Sequence, residues 1–193
     1  MNRIGSLARK TGETDIFVSL DLDGEGVSQV DTGIGFFDHM LSAVAKHGLM
    51  DLTVRVQGDL AVDGHHTVED TGIVLGQAFR QALGNKNGIR RFGTAYVPMD
   101  EALCRTVLDC SNRPYLVFQA NMPQPMIGGY DSCLTKEFMQ AFAVHGGITL
   151  HQTCEYGDNA HHITEALYKS LGMALKEAAQ VVGSGVTSTK GVL

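Results

Sequence analysis

The 193-residue sequence contains no tryptophan and only four prolines, and nothing in its composition indicates a disordered chain. It also lacks any apolar run approaching the roughly 18 residues of a transmembrane helix, and its first residues carry no apolar signal segment. Basic residues number 15 against 21 acidic ones, and this charge of −6 argues against a nucleic-acid or anionic-membrane surface. We therefore expect a cytoplasmic protein that binds neither nucleic acid nor membrane.

Cysteine is also scarce, and none of the four cysteines pairs in the C-x-x-C spacing of a zinc or redox motif. The spacing is typical of reduced thiols in a cytosolic protein. Hydrophobic residues make up 44% of the chain, which is enough to bury a core. The length fits one large domain or two small ones.

A His-His-x-x-Glu motif, called here the double-histidine motif, occurs twice, at residues 65–69 and 161–165. In a helix, positions i and i+4 share a face, so His65 can converge with Glu69, and His161 with Glu165. The second histidine of each motif points about 100° away from the first. Two such motifs predict a site for two metal ions.

The double-histidine motifs are parts of a longer repeated pattern. Strand-like alternation follows Glu13 and Glu101, and His39 or Glu137 precedes a His-Gly pair by eight residues. Each motif then opens an apolar helix, so the order strand, helix, strand, helix occurs twice. We predict two duplicated half-domains, residues 1–92 and 93–193. Each should be a small α+β unit with one sheet covered by helices, and the two should pack helix against helix.

The repeat enlarges the set of candidate metal ligands, because His39 and Glu137 occupy matching places in equivalent helices. Eight candidates result: His39, His65, His66, Glu69, Glu137, His161, His162 and Glu165. Divided between two metals they leave coordination positions open, which is typical of a catalytic site. Imidazole and carboxylate ligands suit Mn, Fe, Co, Ni or Zn, and among these we favour octahedral Mn(II). Asp38 and Asp70 neighbour ligands and are expected to orient imidazoles, with surface salt bridging as the alternative.

Basic and hydroxyl side chains provide a second clue, because guanidinium, ammonium and hydroxyl groups are what a phosphate monoester requires. The candidates are Arg90, Arg91, Arg113, Lys169 and the tail residues Ser188, Thr189 and Lys190. Taken singly, each could instead be a solvated surface charge. Lys169 is the exception, because it lies at i+4 from Glu165 on the ligand face.

Seven segments together resemble the imidazoleglycerol-phosphate dehydratase family of histidine biosynthesis: residues 9–14, 32–41, 65–70, 99–103, 109–113, 161–165 and 188–191. The resemblance runs in order from about Arg9 to the end of the chain. It implies a duplicated α+β fold, with helices packed between two four-stranded sheets, like domain 2 of ribosomal protein S5. It also implies two Mn²⁺ ions per active site and a homo-oligomer of 24 subunits with active sites shared between chains.

The resemblance also implies roles for individual residues. The eight candidate ligands fall on the family's metal positions, although Glu137 stands where many relatives carry histidine. Glu13 matches a glutamate that contacts substrate and moves protons, and with His65 and Glu165 it forms the implied catalytic set. The phosphate-binding positions fall on His47, Arg91, Arg113, Lys169, Ser188 and Lys190. His39, His65, Glu69 and His161 are the remaining implied substrate contacts.

The implied reaction removes water from imidazole glycerol phosphate and gives imidazole acetol phosphate, a carbon–oxygen lyase activity. Two other classes of protein fit the same ligands. A dinuclear hydrolase would use a metal-bound hydroxide as nucleophile and would release phosphate or cleave an amide, whereas a dehydratase releases no phosphate. A non-catalytic, metal-dependent assembly module is the third hypothesis, and the basic residues near the motifs argue against it.

Overall fold

A computed structural model describes residues 3–193, and within this range the chain forms four long helices and ten strands. No helix in the described part is long and apolar enough to cross a bilayer. In chain order the elements are β1 (Ile4–Lys10), β2 (Thr14–Asp21), β3 (Ser28–Asp31), α1 (Gly35–Gly48), β4 (Asp51–Gly58), α2 (His65–Leu83), β5 (Phe92–Met99), β6 (Ala102–Asp109), β7 (Tyr115–Gln119), β8 (Met126–Ile127), β9 (Tyr130–Asp131), α3 (Leu134–Gly146), β10 (Thr149–Tyr156) and α4 (Ala160–Ala179).

The two four-stranded sheets have the same topology. The first has the order β1-β2-β4-β3 and the second β5-β6-β10-β7. In each sheet three strands are antiparallel, and the last strand, β3 or β7, runs parallel to its neighbour. The small β8–β9 hairpin of the second half has no counterpart in the first. The duplicated α+β fold expected from the sequence is therefore confirmed.

The helices lie between the two sheets. Buried residues alternate along β2, where Ile16, Val18 and Leu20 face inward, so each sheet presents one apolar face to helices. Helices α1 and α2 cover the first sheet, and α3 and α4 cover the second. Contacts between the halves run from α1 to α4 and from α2 to α3, as the predicted helix-to-helix packing requires. One continuous core, which includes Phe79 and Phe138, joins the two halves.

Glycines set how closely the helices of opposite halves approach. A Cβ atom added at Gly76 on α2 would lie 2.8 Å from the backbone nitrogen of Gly146 on α3. One added at Gly172 on α4 would lie 3.1 Å from the backbone nitrogen of Gly48 on α1. Gly76 and Gly172 each follow the first histidine of their motif by eleven residues. The two helix crossings are therefore copies of one contact, and only glycine fits it.

Replacing Gly76 by alanine is expected to lower the free energy of unfolding by about 1–3 kcal/mol, because the added methyl group meets backbone that cannot move aside. Urea unfolding of the variant measures this loss. Gly35→Ala is the matched control, since Gly35 is also helical and no atom lies within 4 Å of its added Cβ. The control should be as stable as the parent or slightly more so. A Gly76→Ala chain as stable as the parent would contradict the described crossing.

Candidate active site

A side-chain oxygen two residues before each double-histidine motif accepts from the first backbone nitrogen of the motif. In α4 the Asn159 carboxamide oxygen accepts from the backbone nitrogens of His161 and His162, at 2.9 and 3.4 Å. In α2 the Asp63 carboxylate, at the matching position, accepts from the backbone nitrogen of His65 at 2.7 Å. Asn159 is the N-cap of α4, and both side chains satisfy amides that the helix leaves free. Each motif therefore begins its helix at the end where the imidazoles reach solvent.

Three predicted ligands converge between the two halves, and we call them the ligand cluster: His39, His161 and Glu165. The Nε2 atoms of His39 and His161 lie 3.4 and 3.2 Å from Oε2 of Glu165. One ligand atom from each residue lies within 4.8 Å of the other two, and no other group of three or more candidate ligands does so within residues 3–193. The histidines are 54% and 44% exposed. Two imidazoles and a carboxylate suit a divalent first-row metal and leave coordination positions open.

Lys169 and His47 lie beside the cluster. The Lys169 ammonium is 2.7 Å from Oε1 of Glu165, whose side chain is only 8% exposed. Burial by itself would raise the pKa of the Glu165 carboxyl, but the Lys169 hydrogen bond and the Lys169 and His39 charges outweigh burial and hold the pKa below its ordinary value. Burial and the Lys169 charge lower the pKa of His47, against the opposing charge of Glu165. Glu165 is therefore held as a carboxylate, the form that binds a metal.

The first motif forms only part of a second ligand group. Nε2 of His65 lies 3.6 Å from Oε2 of Glu69, so the predicted i, i+4 pair is present. Glu137 does not complete a group of three with this pair in the described residues. Its charge acts instead on Cys133, where burial first and then Asp131 and Glu137 raise the thiol pKa to about 11.

The second histidine of each motif turns to a carboxylate outside the motif. Nδ1 of His66 lies 3.0 Å from Asp59, and Nδ1 of His162 lies 2.6 Å from Glu101. Sequence reasoning did not single out Asp59 at all. It included Glu101 as the repeat counterpart of Glu13 and within the family-like segment 99–103, which were the available signals that this position matters.

The expectation that Asp38 and Asp70 orient imidazoles is wrong. Asp38 accepts from the hydroxyl and backbone nitrogen of Thr32, at 2.5 and 2.9 Å, and so fixes the loop that enters α1. Asp70 accepts from the Thr14 hydroxyl at 2.5 Å and pairs with Arg9 at 2.6 Å. Both carboxylates are taken by neighbours from other elements, which adjacency in the sequence does not reveal.

Four of the predicted phosphate-binding residues line one cavity of about 530 Å³, called here the basic cavity: Arg91, Arg113, Ser188 and Lys190. Asp109 fixes Arg91 by two hydrogen bonds of 2.7 and 3.0 Å and lies 3.5 Å from Arg113. Arg91 also donates to the carbonyl oxygen of Thr187 at 2.7 Å, which holds the tail beside it. Guanidinium, ammonium and hydroxyl groups thus converge as an anion requires.

The basic cavity and the ligand cluster lie at opposite ends of α4. The backbone nitrogen of Arg91 donates to the carbonyl oxygen of Ala178 at 2.9 Å, near the last turn of the helix. His161 lies in the first turn, so the helical rise separates the two places by roughly 26 Å. One small phosphate ester cannot contact both ends within one chain.

Comparison with known sequences places these features in a family. The family model described as imidazoleglycerol-phosphate dehydratase matches residues 32–175. An imidazoleglycerol-phosphate dehydratase of Acetivibrio thermocellus is 54% identical over 195 residues, covering all of both chains. One of Gluconobacter oxydans is 55% identical over 195 residues, covering all of this chain and 98% of the relative.

Solved structures of the same family share the fold. The imidazoleglycerol-phosphate dehydratase of Staphylococcus aureus matches with a TM-score of 0.83 at 35% identity, over 94% of this chain and 99% of the other. The Pyrococcus furiosus enzyme, solved in complex with (S)-C348, matches with a TM-score of 0.85 at 40% identity, over 97% of this chain and all of the other. The likeness therefore extends over both halves of the chain.

Replacing Lys169 by methionine is expected to destabilise the metal-free chain at pH 7 by about 1–3 kcal/mol, because the Glu165 carboxylate loses a charged hydrogen bond. The folded-state pKa of Glu165 is lowered, so this stabilisation is complete above the ordinary value of 4.5 and is lost as pH falls through the folded value. Unfolding of variant and parent should therefore converge at acid pH. Lys176→Met, on the exposed face of the same helix, should change little. A difference between parent and Lys169→Met that is equal at pH 3.5 and pH 7 would contradict this account.

Proposed function

The chain belongs to the imidazoleglycerol-phosphate dehydratase family, and we propose that it performs this reaction with two divalent metal ions in each active site. It is a hydro-lyase of histidine biosynthesis that converts imidazole glycerol phosphate to imidazole acetol phosphate and water. Family membership decides against the dinuclear hydrolase and the non-catalytic assembly module. The observation that carries the metal proposal is the convergence of His39, His161 and Glu165 from both halves of the chain.

We assign one metal to the ligand cluster and the other to a group around His65 and Glu69. The repeat supports the second assignment: His39 joins the motif pair of the second half, and by the same repeat we assign its counterpart Glu137 to His65 and Glu69. His66 and His162 are the remaining ligands. We propose Mn²⁺ as the ion, since mixed imidazole and carboxylate donors with open positions suit it. When bound, the metals supply Lewis-acid polarisation and a template for the substrate imidazole.

The other residues of the site bind the substrate and move its protons. Glu13 is 56% exposed, with Oε1 at 3.7 Å from Nε2 of His66, and we assign it as the general base and acid. His65 and Glu165 are the other residues that we place at the reacting atoms. We assign binding of the substrate phosphate to the basic cavity together with His47 and Lys169. Fixing that end orients the reacting end and lowers the entropic barrier.

Separation of the basic cavity from the ligand cluster supports active sites built from more than one chain. If roughly 26 Å divides them within a subunit, a neighbouring subunit must bring its basic cavity to the cluster. His66 and His162 lie outside the ligand cluster and pair with Asp59 and Glu101, so they too would meet a metal of the cluster only on a neighbouring chain. Exposed aromatic rings on the outer face of the second sheet, Phe92, Tyr96 and Tyr115, offer contact surface. We propose a cytoplasmic homo-oligomer of 24 subunits.

Mixed assemblies of two inactive variants test the shared site. His161→Asn lacks a cluster ligand and Arg113→Met lacks a phosphate contact, so each alone should lose most of its activity. If different chains supply these residues, about a quarter of the sites in a randomly mixed oligomer contain both intact groups, and activity returns.

The matched control mixes His39→Asn with His161→Asn, whose residues meet within one chain and cannot complement. Measurement of dehydration in co-expressed and separately purified assemblies decides the matter. No recovery in verified mixtures of His161→Asn and Arg113→Met would contradict a site shared in this way.

A further inference from the structure

The two double-histidine motifs hold their second histidine with carboxylates from different places in the repeat. In the second half, Oε2 of Glu101, from the turn between β5 and β6, lies 2.6 Å from Nδ1 of His162. In the first half, Asp59, directly after β4, lies 3.0 Å from Nδ1 of His66. Glu13, the repeat counterpart of Glu101, does not occupy that position.

A carboxylate beside Nδ1 determines what the rest of an imidazole can do. It accepts a hydrogen bond from Nδ1–H, so the neutral ring carries its lone pair on Nε2, and it fixes the plane of the ring. The Nε2 atoms of both histidines lie on the opposite edge of the ring. They are 3.7 Å from Glu13 in the first half and 3.7 Å from Asp100 in the second.

We propose that Asp59 and Glu101 are positioning residues that hold His66 and His162 with Nε2 available to a metal, and that this arrangement leaves Glu13 free to move protons. The repeat-related glutamates thus have separate tasks, one positioning a ligand and the other serving the reaction. The inference rests on the proposed role of the two histidines as metal ligands.

Glu101 is fully engaged. Besides His162, its carboxylate accepts from the backbone nitrogens of Asp158 and Asn159, at 3.3 and 3.0 Å. Both carboxylate oxygens are thus held, Oε2 by His162 and Oε1 by the two backbone nitrogens, which fixes Glu101 as a positioning group requires. Its contacts hold the loop before α4 and the ring of His162 together.

Glu13 does not contact Nδ1 of His66, although its counterpart Glu101 contacts Nδ1 of His162. Its only ion pair in the described residues is the 3.7 Å approach to Nε2 of His66, and its side chain is more than half exposed. Asp59 has taken the place beside Nδ1, and its own backbone nitrogen donates to the carbonyl oxygen of Glu13 at 3.1 Å. The two halves therefore differ in the use of this repeated glutamate: Glu101 positions a ligand, whereas Glu13 is left for proton transfer.

Direct Mn²⁺ titration of the metal-free chain, followed by steady-state kinetics at rising Mn²⁺, separates the two tasks. Glu101→Gln and Asp59→Asn should lower Mn²⁺ affinity by about 10- to 100-fold, and saturating Mn²⁺ should restore most of kcat. Glu13→Gln should keep its Mn²⁺ affinity and lose about 100-fold or more in kcat, without rescue by metal.

Glu155→Gln is the matched control, because Glu155 lies on neighbouring β10 and pairs only with Arg105, at 3.2 Å, in the described chain. It should match the parent in affinity and kcat. If Glu101→Gln unfolds, Asp59→Asn carries the test by itself. Variants that bind Mn²⁺ as tightly as the parent, or that lose kcat beyond rescue, would overturn the proposal. A parent chain that binds no Mn²⁺ would instead overturn the metal assignment on which it rests.

Discussion

The close crossing of α1 and α4 is the constraint on which the candidate active site depends. Because Gly48 and Gly172 lack side chains at the crossing, the two helices approach until their backbones nearly touch. His39 on α1 is thereby held against His161 and Glu165 on α4. The ligand cluster is thus a product of packing between the halves. Neither half alone contains the cluster, so the site forms only when the two halves pack through α1 and α4.

Charge compensation explains how the cluster is kept ready for a cation. A carboxylate as buried as that of Glu165 would lose its charge unless positive groups or good hydrogen bonds faced it. Lys169 supplies the ammonium and His39 a second partner, and both outweigh the effect of burial. The same residues that stabilise the folded chain therefore prepare a ligand, and a phosphate can share Lys169 when substrate arrives.

Regular patterns made much of this structure predictable from sequence, and irregular segments account for the rest. The periodicity of α1, α2, α3 and α4 and the internal repeat gave the helices, the fold class and the eight candidate ligands. The predicted order of strand, helix, strand, helix supplied only two strands of each half, so β1 and β3 of the first sheet and β5 and β7 of the second were missed. Residues 28–31 of β3, for example, are mostly polar and gain their structure by pairing with β4. The imidazole partners Asp59 and Glu101 were missed because loop conformation, which spacing does not encode, brings them to Nδ1. The separation of the basic cavity from the ligand cluster depends on how α4 lies along the second sheet, which only the fold reveals.

The most direct test of the account is anomalous diffraction at the manganese edge from crystals grown with Mn²⁺. We expect a manganese peak bonded to His39, His161 and Glu165 of one chain, with a second peak bonded to His65 and Glu69. Manganese peaks that avoid His39, His161 and Glu165, or no peak at these residues under saturating Mn²⁺, would contradict it.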